Sequence, residues 1–107
     1  MPQPGEIWVA EIPFTSGVAA KRRPVMVLWI DAEDAVVAAA TSAPPRSVTD
    51  VTLEDWSSEG LRLPSTVRLS RLDCLEQFLL QHRLGAVTRQ DAERIRLTWC
   101  EQIRLRF

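Results

Sequence analysis

A chain of 107 residues, 46% hydrophobic and 25% charged with a formal net charge of −1, has the size and balance of one soluble globular domain. That balance excludes a protein that coats nucleic acid through global charge, and no apolar run is long enough to cross a bilayer. The start, Met1-Pro2-Gln3-Pro4, has neither the basic nor the apolar segment of a secretory signal, so a cytoplasmic location is expected.

Glu6 to Ile12 reads as a half-buried strand, with Ile7 and Val9 alternating against an outward Trp8 and Ala10. Pro13 ends it, and residues 13 to 22 read as a polar loop around Gly17. Lys21-Arg22-Arg23 then stand directly before Pro24 and an almost continuous apolar run, Val25 to Ile30, expected of a strand covered on both faces. Three cations at a sheet edge, beside a loop, form the place in this chain best suited to an anion such as phosphate.

Asp31 to Asp34 makes a turn, and Ala35 to Thr41 is the next strand. Ser42 to Ser47, with Pro44-Pro45, is a loop; Val48 to Leu53 is a further alternating strand. Glu54 to Pro64 is an irregular connection, and Ser65 to Ser70 a short strand. Leu72 to Leu75 fits a strand or a single helical turn, and Leu79 to Leu84 a strand closed by Gly85.

At Thr88 the period changes. Thr88-Arg89-Gln90-Asp91 fits a capping box, and Ala92, Ile95, Trp99 and Ile103 follow at helical spacing, predicting an amphipathic helix laid on the sheet. Leu97 and Leu105 fall outside that stripe and suit either plain exposure or a dimer interface. Cys74 and Cys100 are expected to be free thiols acting as small apolar fillers. Short strands followed by one helix predict a small, strongly bent antiparallel sheet or barrel.

The ordered set Gly5-Glu6-Ile7-Trp8-Val9, Lys21-Arg22-Arg23-Pro24-Val25-Met26-Val27-Leu28, Ala38-Ala39-Ala40-Thr41-Ser42, Pro64-Ser65-Thr66-Val67-Arg68-Leu69 and Arg83-Leu84-Gly85 resembles the MazF/PemK family, over roughly residues 4 to 104. The resemblance implies a mainly β, SH3-like small barrel with a C-terminal helix, of the MazF/PemK/CcdB-like kind, and a homodimer. It implies the toxin half of a type II toxin–antitoxin system: a metal-independent endoribonuclease, without cofactor, that cuts single-stranded RNA and is blocked by a cognate antitoxin.

By the same resemblance, Arg23 matches the arginine before the proline that opens the second strand. Its planar fork suits two phosphoryl oxygens. Thr41 matches the threonine ending the third strand, with a hydroxyl suited to a phosphoryl oxygen or the attacking 2′-hydroxyl; Ser42 supports it. Arg68 matches an arginine that, in PemK-like members, precedes an aspartate of proposed catalytic role by two positions. Here that position is Ser70, which removes a candidate base. The departure favours the alternative of a catalytically inactive RNA- or protein-binding module of the same fold.

Lys21 and Arg22 are expected on backbone phosphates, and Phe14 or Trp56 on unpaired bases, with core packing the competing role for both aromatics. His82, the only histidine, reads as a strand or surface residue away from the site. No histidine or cysteine pattern suggests a transition-metal site.

Overall fold

The computed structural model describes residues 1–13 and 20–107. Six strands form one antiparallel sheet: β1 (Glu6–Pro13), β2 (Ala20–Asp31), β3 (Asp34–Thr41), β4 (Asp50–Thr52), β5 (Thr66–Glu76) and β6 (Leu80–Ala86). Helix α1 (Arg89–Gln102) follows. The strand order is β4-β5-β3-β2-β1-β6.

That order forces curvature. β5 and β6 are joined by a single 3-10 turn, Gln77–Leu79, yet β3, β2 and β1 lie between them in the sheet. Four interstrand spacings would separate them by about 19 Å in a flat sheet. Four Cα steps reach at most about 14 Å. The sheet must coil to let the chain cross, and it does so without closing: β4 and β6 are its two edges. The expected small barrel is therefore an open, barrel-like sheet.

The connection between β4 and β5 reaches over to the far edge. Gly60 (φ 94°) and Gly85 sit where two backbones touch. A Cβ on Gly60 would lie 2.1 Å from the Leu84 carbonyl oxygen, and one on Gly85 would lie 2.2 Å from the Glu59 carbonyl oxygen. Gly85 thus does not end its strand, as its type suggested. It lies inside β6 because the connection needs the space of its missing side chain.

Coiling gives the sheet two covered faces. Ile7, Met26, Ala38, Val51, Leu53, Leu61, Val67, Leu69 and Ile95 form one buried cluster, with Trp56, Trp99 and Ile103 packed on it. Ala10, Val25, Val27, Ala35, Val37, Leu75 and Leu80 form the other. Val25, Met26 and Val27 are consecutive and all buried, which is why β2 reads as an unbroken apolar run. The simple alternation read for β1 does not hold: Ile7 enters one cluster and Ala10 the other, so both parities are buried. The segments Ser65–Ser70 and Leu72–Leu75, read as two pieces, fall in one strand, β5 (Thr66–Glu76); a register shift between Ala38 and Ala39 absorbs three extra residues of β5. Cys74 and Cys100 are free but exposed, and so do not fill the core.

The helix packs through Ile95, Trp99 and Ile103, with the Trp29 and Trp99 rings edge to face at 6.0 Å. Leu97 and Leu105 are exposed. Half of the capping box forms: Thr88 Oγ1 accepts from the Asp91 amide at 3.3 Å. Asp91 does not reach back. Its carboxylate is fully buried and accepts from the Glu54 and Asp55 amides at 3.1 and 3.0 Å, tying the helix to the connection. The Thr88 amide donates instead to Glu59 Oε2 at 2.8 Å.

Candidate active site: a cationic cleft at the ends of β2 and β3

The β2–β3 ladder runs as far as Val25 opposite Ala39. The next residue of β2, Pro24, has no N–H with which to continue it. Extending the register by two positions sets Arg23 level with Thr41. There the strands flank a cleft of about 600 Å³. Lys21, Arg23 and Pro24 of β2, Thr41 and Ser42 at the end of β3, Gly60 to Leu63 of the connection, and Val9, His82 and Leu84 of β1 and β6 contribute to its wall.

The electrostatics of this wall are lopsided. Arg68, Arg83, Arg94 and Arg96 each pair with a carboxylate elsewhere on the molecule. Lys21, Arg23 and Arg62 make no such pair among the described residues, and no carboxylate contributes to the cleft wall. Cations without carboxylate partners, grouped beside the Thr41 and Ser42 hydroxyls, suit an anion. The Thr41 hydroxyl accepts from the Ala43 amide at 3.2 Å, which leaves its O–H as a donor.

Arg23, Thr41, Lys21 and Ser42 therefore share one cleft. Arg22 is exposed on β2 and does not line it. Phe14 lies outside the described residues, and Trp56 packs against the core. Arg68 is not at the cleft: its Nε donates to Asp50 Oδ1 at 3.3 Å across the β4–β5 pair. Burial opposes ionisation of Asp50, but the Arg46 amide and the Arg68 guanidinium outweigh it and hold the carboxyl below its ordinary range. Arg68→Ala should therefore destabilise the fold by about 2 kcal/mol in urea denaturation, since the almost fully buried Asp50 side chain loses its cation. Ser70 is exposed and is not part of the wall, so its identity leaves the groups facing the cleft unchanged.

Two wall residues escape a reading of the sequence. Arg62 belongs to an irregular connection whose path is set by the glycine contacts with β6. His82, expected away from the site, reaches it because β6 pairs with β1 and Val9 stands opposite His82. No local pattern signals a contact across more than seventy residues. Among the described residues, no group of three or more His, Cys, Asp or Glu is placed to hold a metal ion.

A wall of this kind, on a coiled sheet backed by one helix, has the charge and hydroxyl chemistry that suits a polyanion. The family model for the PemK-like, MazF-like toxin of type II toxin–antitoxin systems matches residues 3–103, and the chain belongs to that family. The fold is shared with solved structures of low sequence identity. One is an endoribonuclease in complex with its cognate antitoxin from a mycobacterial species (17% identity, TM-score 0.74, 92% of this chain and 90% of that one). Another is the Mycobacterium tuberculosis toxin MazF-mt6 (19%, TM-score 0.71, 87% and 90%). A third is MazF from Deinococcus radiodurans (18%, TM-score 0.68, 91% of each). No curated protein matches the sequence.

Proposed function

We propose that this toxin is a metal-independent endoribonuclease that cuts single-stranded RNA in the cleft between β2 and β3. One observation carries the reading: three cations without carboxylate partners among the described residues share a single wall with the Thr41 and Ser42 hydroxyls. RNA supplies its own nucleophile. The ribose 2′-hydroxyl attacks the adjacent phosphorus, the 5′-oxygen leaves, and the products are a 2′,3′-cyclic phosphate and a 5′-hydroxyl. The protein's task is to hold that arrangement in line and to stabilise charge on the phosphoryl oxygens.

Arg23 takes two of those oxygens with its fork, and Thr41 donates its O–H to an oxygen of the reacting group. Lys21, Arg62 and Ser42 hold neighbouring phosphates, and Arg22 extends the track outside the cleft. The 107 residues act as a single domain, working in the cytoplasm as a homodimer. Endoribonuclease and antitoxin are named together for the mycobacterial relative. The same pairing is proposed here, with the antitoxin segment occupying the cleft and excluding RNA.

Purified protein in EDTA should cut single-stranded RNA and leave cyclic phosphate and 5′-hydroxyl ends, which end-labelling resolves. Tight binding without cleavage would replace the enzyme with a binding module. Absence of both would remove RNA as the ligand.

A further inference from the structure

We propose that His82 is the general base of the reaction, a role that rests on the nuclease reading above. Among the described residues, the cleft wall contains no carboxylate. Its remaining polar side chains are guanidinium, ammonium and hydroxyl groups, none of which readily accepts a proton near neutral pH. Imidazole does, and His82 is the one such group in the wall and in the chain.

Its position suits the task. Val9 pairs with Pro24 on one side and with His82 on the other, so the three residues form a row across β2, β1 and β6. Two interstrand spacings give that row a length of about 10 Å. Arg23 adjoins one end of the row along β2 and His82 is the other end, and both contribute to the wall of the one cleft. In the reaction, the 2′-hydroxyl proton passes to a ring nitrogen of His82 as the O2′–P bond forms. The P–O5′ bond breaks, O5′ leaves with the electron pair and takes a proton from water, and the imidazolium returns its proton to solvent.

Three charged groups share the cleft with His82: Lys21 and Arg23 from β2, and Arg62 from the connection. Of its strand neighbours, Gln81 donates to Glu11 of β1, and Arg83 is paired with Glu6. The imidazole thus works among cations in the cleft, while Glu11 and Glu6 are engaged by its strand neighbours.

The test uses purified full-length protein, a 5′-labelled mixed-sequence single-stranded RNA, and His82→Ala. The expected result is a wild type that cleaves with a rate rising through one deprotonation on the acidic side. The variant should fall at least about 10²-fold in kcat, lose that acidic limb, and regain activity when imidazole is added. RNA affinity, read by fluorescence anisotropy, should stay within about threefold. If wild type cleaves and His82→Ala cleaves equally well with the same pH profile, His82 is not the base while the nuclease reading stands. The same conclusion follows if the loss merely tracks lost affinity with an unchanged profile. If wild type does not cleave, the nuclease reading falls first and this assignment with it.

Discussion

Arg23→Ala is expected to lower kcat/KM for single-stranded RNA by about 10³-fold, roughly 4 kcal/mol of transition-state stabilisation. The guanidinium has no carboxylate partner among the described residues, and it is exposed, so its removal should leave the stability of the fold nearly unchanged. Its contribution falls on the phosphoryl oxygens, where negative charge accumulates as the 2′-oxygen attacks. Arg23→Lys should restore only part of the rate, because an ammonium keeps the charge but loses the planar fork. Initial rates on labelled RNA measure both variants, and induction in cells should show the growth arrest of wild type relieved by Arg23→Ala. An alanine variant within threefold of wild type would remove Arg23 from the reaction.

Stability should fall as pH rises from about 4.5 to about 7 and then level off, a total on the order of 3 kcal/mol. The cause is Glu59, which is fully buried beside Asp91. Burial, reinforced by the negative charges of Asp91 and Asp55, pushes its carboxyl from 4.5 up to about 7 against the opposing Thr88 amide. Glu59 Oε1 has no partner unless it carries a proton, which it then shares with Asp91.

Below pH 4.5 the group is neutral in both folded and unfolded chains, so its contribution is complete. Between 4.5 and 7 the unfolded chain ionises first and gains free energy that the folded chain does not. Asp91 behaves oppositely. Burial opposes its charge, but the Asp55 and Glu54 amides, Glu59 and Arg94 prevail and hold it below its ordinary 3.8. Its contribution is present above that value and is lost only as pH falls through the lowered one, outside the Glu59 window. Glu59→Gln keeps an acceptor for the Thr88 amide and gives Asp91 a permanent N–H donor. That variant should show no slope between pH 4.5 and 7 and should exceed wild type by roughly 2–3 kcal/mol at pH 8. Urea denaturation across that range checks both curves; an unchanged slope in Glu59→Gln would assign the dependence to another group.

The sequence is legible where a local rule is also the global one. The first half of the apolar run, Val25–Val27, is covered on both faces as read, although Trp29 further along is exposed, and the helical stripe through Ile95, Trp99 and Ile103 marks the face α1 buries. The cations before Pro24 and the threonine ending β3 can be brought to one place by a single hairpin register. Legibility stops where side chains answer to distant backbone. Asp91 has the type and position of a capping carboxylate, but two amides from residues 54 and 55 claim it. Arg68 is read by resemblance as an RNA-binding residue, yet a three-residue edge strand supplies Asp50 and draws it away from the cleft. Gly85 looks like punctuation until Glu59 is seen against it. His82 belongs to the cleft only through the pairing of the first strand with the last.

That pairing has a consequence for the cell that makes this toxin. Translation delivers Arg23 and Thr41 on a hairpin of local register before β4, β5 and β6 emerge. Until it does, Val9 has no His82 opposite it, and the connection carrying Arg62 has no Leu84 to rest on. A nascent or truncated chain ending before residue 80 thus lacks one flank of its own cleft.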